Sequence, residues 1–288
     1  YQFNRKWGSK GSGNAQFEYP FDIFVYNDEV FVADQLNHRI QVFELDGTYN
    51  RQWGSYGTGN AKFDGPSGVH VYLDEVYVSD TENNRIQVFN LSGAYLRQWG
   101  SFGTGSGKLN RPYGLTVFNN EVYVVDHDNY RIQVFSLTGA YLRQWGSKGS
   151  GNGEFNYPAM IAELDNEIYV TDDGNSRIQV FNLAGAYQRQ WGTKGPGDGE
   201  LDYPQGISGY NGSIALADYG NSRIQIFDTT GVFKEKFGTP GSGDGEFAGP
   251  QGINHYGTEL FVVEYENHRV QVFSAKAKID YLPLMGVG

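Results

Sequence analysis

Carboxylates recur in this chain at a fixed interval. Asp34, Asp80, Asp126, Asp172 and Asp218 each stand five residues before an arginine, and Glu264 takes the same place in the last copy. A ring of carboxylates could hold a cation. The alternative is a repeated Asp–Arg pair that fixes a loop, and repetition of one pair favours the scaffold. The five histidines are scattered. His38 and His268 share a slot beside the arginine, His127 sits in a loop, and His70 and His255 lie on opposite faces of their strands. A tetrahedral metal site needs three ligands at one depth, which these do not supply, so no cofactor is expected. Glu163 stands where other copies carry Val, Gly or His and is an axial candidate for Ca²⁺ or water. No Ser–His–Asp grouping breaks the repeat. The glycine-rich loops lack the Gly-Lys-[Ser/Thr] and the helix of a phosphate cradle.

The elements that position these residues follow from one period. A pentad Arg-[Ile/Val]-Gln-[Val/Ile]-Phe starts at Arg39, Arg85, Arg131, Arg177, Arg223 and Arg269, 46 residues apart each time. Pro20, Pro66, Pro112, Pro158, Pro204 and Pro250 keep the same step, as do Trp7, Trp53, Trp99, Trp145 and Trp191, followed by Phe237. Within a copy, short Val-, Ile-, Tyr- and Phe-rich runs bounded by turn residues read as four antiparallel strands. No 3.6-residue period persists, so the class is all-β. The first residues, Phe3 to Trp7, match a fourth strand, and the pattern is lost after Phe273. The expectation is a six-bladed β-propeller over residues 1–288, a single domain, with 1–7 as the closing strand that completes the last blade and 274–288 as a divergent tail. A competitor for the closing slot is Ile279–Leu282, one period after Phe233–Lys236.

The residues that carry a resemblance are Pro-x-Gly-Ile, Val-Tyr-Val-x-Asp, Asn-x-Arg-Ile-Gln-Val-Phe and Gly-x-Gly-x-Gly-Glu-Phe, repeated over nearly the whole chain. In these motifs the sequence resembles the NHL-repeat family. The departures are Asp22 and Met160 in the Pro-x-Gly glycine slot, Glu264 for Asp, and no terminal Trp in the sixth blade. The resemblance implies the propeller fold. Relatives include RNA-binding modules, protein-interaction modules and a zinc-dependent peptide-amidating lyase, so function must come from sites.

Composition narrows those choices. The chain has no cysteine, which excludes disulfides and thiol nucleophiles, and a net charge of −11, unlike a nucleic-acid binder. Of twelve arginines only Arg111 lies outside the two repeated slots, leaving few cations for RNA. No run reaches the roughly 20 apolar residues of a membrane span. The chain opens at Tyr1 with no Met and no signal-like run, as expected of a processed protein or a piece of a longer one. Specificity is then expected where copies differ. On the face carrying the second-to-third-strand loops, Phe21, Tyr113, His127, Asp173, Tyr219 and Tyr265 are candidate contact residues on the rim. Around the same rim Lys62, Lys108 and Arg111 face an acidic arc of Glu154, Glu200 and Glu246, reinforced by Asp198, Asp202 and Asp244. That polarity would orient a partner or a second copy. Asn90 and Asn211 begin glycosylation sequons, a lean toward secretion. The leading expectation is a non-catalytic scaffold for protein or glycan partners or for self-association. The alternatives are an enzyme or small-ligand binder using the central channel, and RNA binding.

Overall fold

Each 46-residue copy folds as the sequence pattern dictates. In one, Pro112–Phe118, Glu121–Asp126, Arg131–Ser136 and Tyr141–Trp145 form consecutive antiparallel strands. The first turn has two residues, Asn119 and Asn120, with φ of +49° and +61°. This is the mirror-image turn whose twist suits a hairpin and which Asn tolerates. The second strand is buried on both faces (Val122, Tyr123, Val124 and Val125) because it lies between neighbouring blades. The computed structural model describes residues 1–275, and in them six such sheets form a β-propeller.

The cores lie between blades. A typical cluster joins Val88 and Val78's neighbour Tyr77 of one blade to Leu115, Val122 and Val124 of the next. Two further devices lock each junction. Trp99 lies against Gly139 in the following blade's last turn, where a Cβ would stand 2.6 Å from the indole, and only glycine fits at φ +86°. Arg97 lies 5.8 Å from the ring centre of Tyr77, donates to Glu75 at 2.7 Å, and donates to the Leu137 carbonyl of the next blade at 2.8 Å.

The ring closes through the N-terminus. Gln2–Trp7 pairs with Arg269–Ser274 as the outer strand of the blade containing Pro250–Tyr256 and Glu259–Glu264. Arg5 grips Glu259 with two bonds of 2.6 and 2.8 Å. The last blade therefore does carry a terminal tryptophan, Trp7. Phe237 ends the fifth blade instead. The competing segment Ile279–Leu282 lies outside the described residues, and the third strand runs on to Ser274, the first residue assigned to the tail.

Candidate functional site

The repeated carboxylates are structural knots. Asp126 is fully buried and accepts from the Nε of Arg131 at 2.7 Å, from Asn129 and from Gln133. Arg131 also donates to the carbonyls of Thr104, Gly105 and Lys108 in the incoming loop, and to Gln144 Oε1 at 3.0 Å. That uses all five guanidinium N–H groups. The last two blades differ. Gln144's slot holds Lys236 and Lys6, which reach Asp198 at 2.5 Å and Asp244 at 2.6 Å.

The loop end of the channel is packed shut. Phe21, only 7% exposed, reaches Tyr113 two blades away at 5.4 Å between ring centres, and Tyr265 at 6.2 Å. Tyr113 stacks on His127 at 3.9 Å, and His127 Nδ1 lies 2.8 Å from the Pro158 carbonyl. Gln251 donates to Gln205 at 2.9 Å across the same layer. Burial holds His127 below the usual imidazole range, with the Pro158 carbonyl and Asp128 opposing. Burial also pushes Asp173 up to about 7, and one of its oxygens is enclosed with no partner. Tyr219 is half-buried and donates to Glu266 at 3.0 Å. Phe21 and His127, read from sequence as exposed anchors, are therefore parts of a plug. Residues following the prolines converge on the axis, so their variety is a packing solution.

The acidic arc is compensated only in part. Glu154, Glu200 and Glu246 each fold back to accept from an amide of their own loop, those of Gly151, Gly197 and Gly243, at 2.8–2.9 Å. Gln16 makes the same bond to Gly13 at 2.9 Å. Asp198 and Asp244 hold the lysines just described, and Asp202 lies 3.5 Å from Lys194. On the basic side Lys62 and Lys108 are exposed, while Arg111 pairs with Glu82 at 3.0 Å. Lysines thus offset Asp198, Asp202 and Asp244, whereas the amide bonds of Glu154, Glu200 and Glu246 offset no charge.

Behind the plug the axis opens into a cavity of about 250 Å³. It is lined in layers along the first strands. Asp22 and Met160 form the floor, six aliphatic side chains that include Ile23, Leu115 and Ile207 form the wall, and His70, Thr116, Ser208, Asn254, Glu163 and His255 lie toward the mouth. His70 and His255 do point to opposite strand faces, yet both border the cavity because the first strand meets the channel edge-on. Burial lowers His70 to about 3 and His255 to about 4. Both nitrogens of His255 face partners, Ser208 Oγ at 3.2 Å and the Tyr1 hydroxyl at 3.0 Å. Neither histidine is arranged as a metal ligand, and among the described residues no three His, Asp or Glu converge. Asp22 accepts from the Val69 amide at 3.0 Å, and burial pushes it up to about 7. Glu163 accepts from the Asn166 amide at 2.8 Å, and burial raises it as well.

Two features escaped the sequence reading. At the open mouth, tyrosines clasp the next blade's hairpin: Tyr26 to Asp74 at 3.1 Å, Tyr72 to Asn120 at 3.3 Å, and Tyr256 to Asp28 at 2.8 Å. The 46-residue register of Tyr26, Tyr72, Tyr210 and Tyr256 was the available signal. On the loop face, Tyr56 and Phe102 are 67% and 72% exposed in a slot filled by lysine in three other copies. Of the sequons, Asn90 uses its Oδ1 to cap its own turn at the Ala94 amide, 2.9 Å away. Asn211 is exposed on a hairpin at the open mouth.

The NHL repeat model matches residues 63–89 and 109–135. No curated protein matches the sequence. Several solved structures share the fold. A protein of unknown function from Bacteroides thetaiotaomicron aligns with a TM-score of 0.72 at 16% identity, over 93% of this chain and 74% of that one. Virginiamycin B lyase from Staphylococcus aureus aligns at 0.65 and 16%, over 96% and 100%. A chain of the nidogen/laminin complex aligns at 0.60 and 16%, over 80% and 84%. At such identities the likeness is one of fold. The chain is a six-bladed β-propeller, two segments of which match the NHL repeat.

Proposed function

We propose that this propeller is a non-catalytic interaction module whose loop face receives a protein partner. One observation carries the reading. Of six exposed aromatic side chains among the described residues, four stand on the loop face: Tyr56, Phe102, Tyr157 and Tyr203, between 40% and 72% exposed. Large, stiff rings of this kind are the side chains that anchor protein interfaces, since they bury much area at small entropic cost. Lysines flank them. Lys194 lies 5.2 Å from the ring centre of Tyr203, and Lys148 lies 4.9 Å from that of Tyr130. The fitting partner therefore offers apolar pockets within an acidic surround. The plug and the knots beneath make the face rigid, so little ordering cost accompanies binding. Propellers of this fold occur both in the nidogen/laminin complex and as a lyase, and so the fold alone does not decide the matter.

The test is affinity capture from the source cells with the protein and with a variant carrying Tyr56→Ser, Phe102→Ser, Tyr157→Ser and Tyr203→Ser. The proteins that define the partnership should be lost from the variant while its melting temperature is kept. Retention of the same proteins would sink the loop-face reading. Light scattering of both forms reports whether the partner is a second copy.

A further inference from the structure

The axial cavity breaks the repeat in two places with the same chemistry. Five of the six floor positions are glycine or Met, and the sixth is Asp22. In the Glu163 slot three copies have Val, one Gly and one His. Asp22 is 7% exposed and its side chain accepts from main-chain amides, that of Val69 at 3.0 Å, with no cation beside it among the described residues, which leaves carboxyl capacity at the cavity floor. Gly252 makes room for it, because a Cβ there would stand 2.9 Å from Asp22 Oδ1. Glu163 sits across the axis, three blades away and three residues nearer the mouth, roughly 10 Å along a strand.

Between the two carboxyl groups lie an aliphatic layer and, nearer the mouth, a layer that includes His70, Thr116, Ser208 and Asn254. The wall is the aliphatic layer that includes Ile23, Leu115 and Ile207. Among the described residues no lysine or arginine lines the cavity. On the hairpins at this end Asp28 and Asp74 are held by the hydroxyls of Tyr256 and Tyr26, whose rings pack between blades. Carboxylates at an entrance attract cations and repel anions. From this layering we infer that the channel binds a linear alkyl diammonium compound, one ammonium held by Asp22 at the floor, the methylene chain against the aliphatic wall, and the other ammonium held by Glu163 at the mouth. Thr116 supplies a further acceptor near the second ammonium. The site opens at the end opposite the loop face, so neither reading depends on the other.

Calorimetric titration at pH 8 tests this with four probes of equal length: 1,5-diaminopentane, n-pentylamine, 1-pentanol and pentanoate. The diamine should bind, the monoamine at least tenfold more weakly, and the alcohol and the carboxylate not at all. Asp22→Asn and Glu163→Gln should each reduce diamine affinity at least tenfold, toward that of the monoamine, with thermal melts showing both variants folded. No heat with the diamine would overturn the proposal. So would equal binding of the alcohol, which would mark a plain apolar cavity, or of pentanoate, which would mark an anion site. Unchanged affinity in both variants would overturn it too.

Discussion

The two ends of the channel are built from the same six first strands and come out opposite. At the loop end the residues after the prolines converge and pack, and Phe21 spans from the first blade to Tyr113 of the third. At the hairpin end the strands diverge from the axis and leave a cavity whose lining is polar at the mouth. The loop end varies in sequence because six unlike side chains must fill one asymmetric hole. The hairpin end varies while leaving the hole open. Variation in a repeat protein is therefore no guide to exposure until the axis is known.

The comparison breaks most heavily at the knots beneath the loop end. Arg131→Ala would leave Asp126 buried without its cation and the Thr104 carbonyl without its donor, while Gly105 and Lys108 keep only the bonds from the Lys108 amide and Gln133. The expected loss is about 3–5 kcal/mol in chemical denaturation. Arg223→Ala should cost less, since Arg223 lacks the fifth bond that Gln144 gives Arg131. Equal losses at the two sites would show that the loop carbonyls, not the fifth bond, set the cost.

Opening the plug comes next. Phe21→Ala removes a buried ring that no neighbouring backbone can replace, for about 3 kcal/mol. It should also connect the cavity to the loop face. Hydrogen exchange at the Val69 amide, now held by Asp22, should quicken well beyond what the change in global stability explains. If exchange there kept pace with global unfolding only, the channel would be closed by more than the plug.

The open end should instead reveal itself through pH. Asp22 stands raised to about 7 by burial, so the stability it contributes is full below its unfolded value near 4 and is lost as pH rises through 7. Asp22→Asn should therefore stabilise the protein at pH 8, by about 2 kcal/mol, and be neutral at pH 4. His70 and His255 act in the other direction. Their folded values of about 3 and 4 lie below the unfolded value near 6.5, so stability falls as pH drops from 6.5 toward 4. His70→Thr, which places Thr116's residue type in the same slot, should flatten that acid limb. A variant with an unchanged limb would place the titration elsewhere.

Period, strand count and ring closure were legible because each rests on a long motif in fixed register, from the Arg39 pentad to the fourth-strand match of Phe3–Trp7. Scaffold roles were legible for the same reason. The site was less so. Glu163 and Asp22 were visible as departures, but their shared cavity depends on which strand lies innermost and edge-on to the axis. Within the acidic arc, Asp198 and Asp244 were counted without Lys236 and Lys6. Those partners sit in other slots of the same junctions and change together with them.

The rim supplies the smallest and most discriminating effect. If Glu154 serves its loop and not a partner, its charge is incidental and its acceptor oxygen is what counts, since Gln16 makes the equivalent bond without charge. Glu154→Gln should leave stability unchanged within a few tenths of a kcal/mol. Glu154→Ala, which strands the Gly151 amide, should cost about 1 kcal/mol. Lys62 and Lys108 show that the slot also tolerates a residue with no acceptor, where the lysine stem packs against Gly57 and Gly103 instead. Glu154→Lys should therefore fall between the two in a thermal melt. A drop in partner capture for Glu154→Gln with no loss of stability would restore the charge as a recognition element and return the acidic arc to the loop face.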